Sequence, residues 1–431
     1  MKLYEHQQKA LDMTKDFNRC AYYVDMGGGK TFIGTQKMLD LGRPVNLLVC
    51  QKSKVQDWVD HFKEYTELKV FDATSQKKEE KRSVTYGFWM NYLHGNKVVP
   101  SVIVINYDLM WRRPELLRLR DFTLMLDESS LIQNHAAKRT KFALKLRPDN
   151  VILLSGTPTS GRYERLWTQM HLLGWQISRK LYEQTYVIWD YIEDYNTGYR
   201  IPVVRGYKNV PRLKEKMREY GCIFMKTEDF GIDLPAQQDI KIRIPASPAY
   251  KKFMMTRLVE MEDRELVGDT QLTARLYARM LCGHYNKAKL KAVADLIDST
   301  EDRLIIFYSF NAEMEALKKI CGDRPVSVVN GQSKDLRAYD DCDDSITLIQ
   351  YQAGAHGLNL QKANRIIYFT LPESYELYAQ SRKRIHRIGQ NQKCFYYLPV
   401  CQDSIEEKIL KTLKMRRDYN EALFKKDFGS R

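Results

Sequence analysis

Residues 21–42 read AYYVDMGGGKTFIGTQKMLDLG, and the interpretation of this stretch decides the fold. An apolar run rich in β-branched and aromatic residues gives way to three glycines and a lysine. A segment of helical spacing follows and is closed by Gly42. Strand, glycine loop, helix is how a parallel α/β unit begins, and it is also the setting that a phosphate-binding loop needs. Gly27, Gly28 and Gly29 would let backbone N–H groups close on phosphate oxygens without Cβ interference, while the helix start adds its positive dipole end. Lys30 would bridge the β and γ phosphates, and the Thr31 hydroxyl would ligate magnesium. The strict pattern GxxxxGK[ST] is not met, because its first glycine position is Val24.

Working outward, the same alternation recurs. Short apolar runs stand at 21–25, 45–50, 102–106, 123–128 and 151–156, and again at 304–309, 326–331, 346–350, 365–369 and 395–400. Continuous apolar strands separated by helix-like sequence predict parallel sheets covered on both faces. Two sets of five predict two α/β lobes, over 1–174 and 246–402. Between them, 175–245 mixes aromatics, charges and prolines without a strand period, and is expected to be an insertion of helical pieces and a linker. The tail, 403–431, has the spacing of a closing helix.

At 431 residues the chain suits two domains, and its 44% hydrophobic content supplies their cores. No run of eighteen apolar residues occurs and the first residues lack a signal-peptide centre, so a soluble cytoplasmic protein with no membrane role is expected. Eight scattered cysteines without a CxxC pair predict reduced thiols rather than a disulfide framework or zinc site. The net charge of +15 favours a polyanionic partner, and nucleic acid over membrane because no basic amphipathic anchor stands out.

Two further stretches carry chemistry. Asp127 and Glu128 end the apolar strand TLML, at the sheet edge where the glycine loop should lie; Asp127 could hold magnesium and Glu128 could orient an attacking water. QSRKRIHRIGQ, 380–390, concentrates four full positive charges and a histidine in eleven residues. On a helix, Gln380, Arg384 and Arg387 fall within about 60° of one another, Ile385 and Ile388 share a packing side, and Arg382 and His386 form a third stripe. Guanidinium groups match the equatorial oxygens of a transferring phosphoryl group, so Arg384 and Arg387 read as arginine fingers. A phosphate-holding patch fits Arg382 and Lys383 better, and a solvated face remains the bland alternative.

The ordered set resembles the Swi/Snf-type translocases of helicase superfamily two over nearly the whole chain. LYEHQ (3–7) resembles the adenine-reading glutamine motif, with Gln7 in place. VDMGGGKT is similar to that family's phosphate loop, whose first position is also not glycine. CQKSKVQDWVDHF (50–62) resembles the segment that touches the nucleic-acid backbone, which makes Lys52, Ser53 and Trp58 candidates, and Tyr107 of NYD (106–108) follows. Next come DES (127–129), QNHAAK (133–138) and SGTPTSGRYERLW (155–167), the last similar to the coupling motif, with Gly156, Thr157 and Pro158 carried over. YSF (308–310), AGAHGLNL (353–360) and RIHRIGQ complete the second lobe, with Gly357 and Gln380 as nucleotide contacts. CIFMKTEDFGIDLP (222–235) resembles the family's interlobe linker, and SIEEKILKTLKMRR its brace helix.

The resemblance implies two tandem RecA-like lobes, ATP and Mg2+ as cofactors, and a monomeric motor on DNA, with duplex favoured. Rival readings are a strand-separating DNA or RNA helicase, for which no wedge can be read but 175–235 could hold one, and an ATP-switched DNA-binding scaffold. With about 400 residues used by the motor, histone-reading modules are not expected, and a bacterial or phage setting in replication or recombination is. Departures occur at Ser129-Ser130, where the family has glycine or alanine and then histidine, at Lys383, where it has aspartate, and at Gln51, where it has proline.

Overall fold

The computed structural model of the chain describes residues 2–74, 92, 99–193, 199–231, 233–354 and 358–424. All ten predicted strands form, and the chain divides into two α/β units, Met1–Gly231 with Tyr419–Arg431, and Ile232–Asp418.

The first unit holds a seven-stranded sheet built from β1 (Arg19–Val24), β2 (Val45–Cys50), β3 (Lys69–Asp72), β4 (Ser101–Asn106), β5 (Phe122–Asp127), β6 (Asn150–Ser155) and β9 (Cys222–Met225). Its order is β3-β4-β2-β5-β6-β1-β9, and every pairing is parallel. β2, β4 and β6 are buried at every residue, which is why they read as unbroken apolar runs. The register sets Cys50 opposite Asn106, Asp127 opposite Leu154 and Tyr23 opposite Ser155. Parallel strands all leave a sheet on the same side, so the turns after β1, β2, β4, β5 and β6 share one edge.

The second unit repeats the plan with β10 (Gln237–Ile244), β13 (Leu304–Tyr308), β14 (Val326–Val329), β15 (Lys334–Asp335), β16 (Ile346–Gln350), β17 (Arg365–Tyr368) and β18 (Cys394–Cys401), in the order β10-β18-β17-β13-β16-β14-β15. Only β15 runs antiparallel. Each unit is thus an α/β lobe of the expected RecA-like kind.

The four sheet strands outside the predicted ten lie at or beside the rims: β3, β9, β10 and β15. A strand with one side in water needs no continuous apolar run, and QQDIKIRI of β10 is mostly exposed. Within 175–245 the chain forms the helices Arg179–Tyr186 and Val210–Glu219, but also strands β9 and β10 and a two-stranded hairpin, β7 (Val187–Glu193) with β8 (Arg200–Tyr207). The hairpin and strands correct the expectation of helical pieces and a linker for this segment. Its residues after Val187 are exposed or half-buried on both faces, so the inside–outside alternation that marks a strand in sequence is missing. The closing helix, Ile405–Phe424, forms as expected, and near its end the Tyr419 carbonyl accepts a 2.6 Å hydrogen bond from the Tyr163 hydroxyl.

All eight cysteines are free thiols and seven are buried; burial pushes Cys20, Cys321 and Cys394 up to about 11. Among the described residues no helix is long and apolar enough to cross a membrane.

Candidate active site

The glycine loop joins β1 to the helix Lys30–Asp40 and has the backbone its residues predict. Gly27 and Gly29 take φ of 88° and 73°, the left-handed region that a side chain disfavours. A Cβ on Gly28 would meet Phe230 and Val24 at 2.5 Å, and one on Gly29 would meet the Gln7 amide nitrogen at 2.0 Å. Gln7 is therefore packed directly against the loop, where its amide also lies 3.5 Å from the Gly28 carbonyl. Lys30 folds back, donating to Val24 O at 2.9 Å and Asp25 O at 3.4 Å. Thr31 follows it on the first helical turn.

Three residues outside the expected set hold this loop. His6 shares a 3.0 Å hydrogen bond with Gly28 O and packs on the Phe230 ring at 4.6 Å. Thr227 donates to Asp25 Oδ2 at 2.6 Å. His6 lies beside Gln7 in LYEHQ, while Thr227 and Phe230 belong to the linker stretch, so the motifs contained them without marking these roles.

Across the same edge, the acid pair sits in a turn that is itself unusual. Glu128 has φ 52° and ψ 61°, a left-handed conformation rare for a non-glycine residue and costing about 1 kcal/mol or more. Asp127 Oδ2 accepts from the indole of Trp58 at 2.8 Å, and the Tyr107 hydroxyl donates to Asp127 O at 2.8 Å. Burial raises the Asp127 carboxyl above its ordinary range, against the pull of the Trp58 hydrogen bond and the Lys30 charge. Ser155 Oγ reaches Glu128 Oε2 at 3.4 Å and accepts from Thr157 N at 3.1 Å. A Cβ on Gly156 would lie 3.5 Å from Lys30 Nζ, which brings Lys30, Gly156 and the acid turn into one cluster. Pro158 O accepts from Gln133 at 2.9 Å and Gln169 at 2.7 Å. The hard oxygen donors available, the Asp127 carboxylate and the Thr31 hydroxyl, suit a magnesium ion.

In the second unit the helix Tyr375–Arg382 ends earlier than the helical reading of 380–390 requires. From Lys383 onward the chain turns. Gln390 donates to Gln361 O, Ala363 O and Ile385 O, His386 shares a 2.9 Å bond with Pro235 O, and Gly389 takes φ 94°. These anchors pull the segment out of helix, so Ile385 is fully buried while Ile388 is 46% exposed, and the expected common packing side is lost. Arg384 and Arg387 instead each reach one of two adjacent residues, Leu358 and Asn359. Arg384 donates to Leu358 O at 3.4 Å, and Arg387 donates to the side chain of Asn359. Gln380 is buried on the helix, 3.4 Å from Glu376 Oε1. Gly357 lies outside the described residues.

The nucleic-acid candidates divide. Lys52 and Ser53 are exposed, and Lys52 helps line a cleft of about 450 Å3 with Asn106, Asp108 and Arg112 at the same sheet edge. Trp58 and Tyr107 correct the expectation: each is 3% exposed, and their polar atoms serve the acid turn rather than a surface. Arg382 is likewise corrected. Its guanidinium stacks 3.6 Å from the Tyr396 ring centre and donates to Asp239 at 2.6 Å, which makes it an internal strut of the lobe. Lys383 is half-buried at the helix end.

The SNF2-related domain model matches residues 4–321 and the helicase conserved C-terminal domain model matches 288–389. A Bacillus subtilis protein named as an ATP-dependent helicase/translocase, YwqA, is 25% identical over 345 residues, which cover 71% of this chain and 36% of that one. The ISWI chromatin-remodeling complex ATPase ISW1 of Saccharomyces cerevisiae is 21% identical over 91% of this chain and 38% of its own. The chain thus spans little more than a third of the length of either relative. The solved Sulfolobus solfataricus SWI2/SNF2 ATPase core in complex with dsDNA aligns with 98% of this chain and 93% of its own, at 17% identity and a TM-score of 0.46. On the family match over most of its length, the chain belongs to the SNF2-related family.

Proposed function

We propose that this chain is an ATP-driven motor that moves along DNA, duplex rather than single-stranded. The observation that carries the reading is the gathering of Lys30, Gly156 and the Asp127–Glu128 turn at one sheet edge, in a chain whose second lobe ties Arg384 and Arg387 to the adjacent residues Leu358 and Asn359. Lys30 exchanges the Val24 and Asp25 carbonyls for the β and γ phosphate oxygens of ATP, and Gln7 lies on the loop in position to read the adenine. Asp127 and Thr31 would hold magnesium, which when bound supplies charge neutralisation at the phosphates. Glu128, pre-set in its left-handed turn and touched by Ser155, orients the attacking water. Arg384 and Arg387 act as arginine fingers on the transferring phosphoryl group. Lys52 and Ser53 meet the nucleic-acid backbone beside the cleft.

The net charge of +15 supports a polyanionic track, which we read as DNA; the same reading makes the chain a monomeric motor in the cytosol of a bacterium or phage-infected host, in replication, recombination or repair. Phosphate release measured on duplex, single strand, fork and RNA tests the reading. Stimulation by duplex DNA, lost in Glu128→Gln, is expected; wild-type turnover at background with every nucleic acid overturns it.

One observation favours a second reading, strand separation. The β7–β8 hairpin exposes Trp189, Tyr191 and Tyr199 by 37%, 62% and 75%, and exposed aromatics stack on unpaired bases. A pure translocase strips a third strand from duplex but leaves the duplex itself paired, so a displacement assay separates the two.

A further inference from the structure

The departure at Ser129 has a structural counterpart at Gln169, a residue that no motif marks. Gln169 is fully buried on the short helix Trp167–Leu172. Its side-chain oxygen accepts from Ser129 Oγ at 2.7 Å and from the Tyr23 hydroxyl at 3.1 Å, and its amide nitrogen donates to Pro158 O at 2.7 Å. The amide can sit only this way round: flipped, its oxygen would face the Pro158 carbonyl, and two acceptors cannot bond. One side chain therefore ties together the ends of three neighbouring strands: Tyr23 before the phosphate loop, Ser129 next to Glu128, and Pro158 in the turn after β6.

We infer that Gln169 is a positioning residue which, through Ser129, holds the water-orienting Glu128 turn in register with the Gly156–Thr157–Pro158 turn; this rests on the motor reading above. Two observations support a coupled element rather than inert packing. The Glu128 turn is held in a left-handed conformation that needs outside support, and Ser129 is its next residue. In the facing turn the Thr157 hydroxyl is buried without a hydrogen-bond partner among the described residues, which marks that turn as not fully satisfied in this arrangement. Pro158 O is also held by Gln133, itself reached by Arg165 at 3.4 Å, so a change at Pro158 propagates to QNHAAK.

The test is steady-state phosphate release with saturating duplex DNA, in wild type, Gln169→Leu, Gln169→Glu, Ser129→Ala and the double variant Ser129→Ala/Gln169→Leu. Gln169→Leu is expected to lower kcat on the order of 10–100-fold with KM for ATP within about twofold, because binding through Lys30 is untouched while the geometry of attack is loosened. Gln169→Glu keeps an acceptor for Ser129 but loses the donor to Pro158 O, and should fall with Gln169→Leu. The double variant should be no slower than the slower single, since residues acting as one unit are not additive. Should Gln169→Leu fail to fold, Ser129→Ala, which removes one oxygen atom, decides the matter through the same kcat and KM split. Unchanged kcat in Ser129→Ala and Gln169→Glu overturns the inference, as does a loss that tracks falling thermal stability or appears equally in KM. If wild type itself shows no DNA-stimulated turnover, the motor reading falls and this inference with it; stimulated wild type with insensitive variants sinks the inference alone.

Discussion

Trp58 and Asp127 are joined by a 2.8 Å hydrogen bond from the indole N–H to the carboxylate, although 69 residues separate them in the chain. The indole only partly offsets the burial that drives this acid toward its neutral form. Because the folded-state pKa of Asp127 is raised, its protonated form is favoured in the fold. Whatever stability this gives is present at low pH and is lost as pH rises through the folded pKa. At neutral pH the ionised group is thus a local cost to the fold. Asp127→Asn should raise the melting temperature of nucleotide-free protein at pH 7–8 by about 2–4 °C, corresponding to about 1 kcal/mol. The gain should shrink as pH falls and vanish only below the ordinary aspartate pKa, where the wild-type group is protonated in both states. The same variant should have no DNA-stimulated ATPase and should lose the stabilisation that Mg2+ with ATP gives wild type. Calorimetry across that pH range checks the sign, and a variant less stable than wild type at pH 7–8 would contradict it.

Arg387 donates to the neutral side chain of Asn359 and is partly desolvated, which lowers its pKa but leaves it charged. Its removal costs the fold little, since one hydrogen bond of this kind contributes about 1 kcal/mol. Arg387→Ala and Arg384→Ala should each reduce turnover by about 10³-fold or more while leaving the affinity for a non-hydrolysable ATP analogue within a few-fold. Arg387→Lys should not rescue, because an ammonium cannot span two phosphate oxygens. Single-turnover phosphate release beside analogue binding makes the measurement.

How far the sequence reached follows from the kind of signal each residue carries. Buried parallel strands must be apolar throughout, so β2, β4 and β6 could be read directly. Gly27 and Gly29 take positive φ, which a side chain disfavours, so the phosphate loop could be read too. The rim strand β10 could not, because its exposed side tolerates Gln237, Asp239 and Lys241. Nor could the end of the helix at Arg382, which is decided by side-chain bonds from His386 and Gln390 to residues far along the chain. Trp58, Tyr107 and Arg382 stood in the right motifs, but motif position alone does not say whether a side chain faces solvent or the back of the site. Gln169 carries no sequence signal at all, since a lone glutamine on a short helix becomes informative only when its partners are seen.

The contrast between Arg382 and Lys52 is testable for that reason. Arg382→Ala strips a guanidinium from the faces of Tyr378 and Tyr396 and leaves Asp239 without its 2.6 Å partner. A cost of about 2–4 kcal/mol in unfolding free energy is expected. The slope of log affinity for DNA against log salt should stay as in wild type. Lys52→Ala, at an exposed position beside the cleft, should do the reverse, with stability within about 0.5 kcal/mol of wild type and the salt slope reduced by about 0.7–0.9. Denaturant melts and salt-titrated DNA binding on both variants separate the roles, and a salt slope lowered by Arg382→Ala would return that arginine to the DNA surface.

In the second lobe Lys289 and Glu406 form a fully buried ion pair at 2.6 Å, with side chains 0% and 2% exposed. Glu406 also accepts from Cys401 N at 3.0 Å, which ties the start of the closing helix to the end of β18. Cys282, Cys401 and Glu406 place metal-capable atoms within 4.8 Å of one another, but the Lys289 ammonium already neutralises that carboxylate. Removing one partner leaves an uncompensated charge in the interior, whereas removing both does not. Lys289→Met alone should therefore cost about 3–5 kcal/mol, and Lys289→Met with Glu406→Gln should recover much of it, because the glutamine can keep the Cys401 N–H bonded while carrying no charge. Equilibrium unfolding of the two singles and the double gives the coupling energy. If the double variant loses as much as the two singles together, the two groups act independently, and their stabilising role lies in packing rather than in the pair.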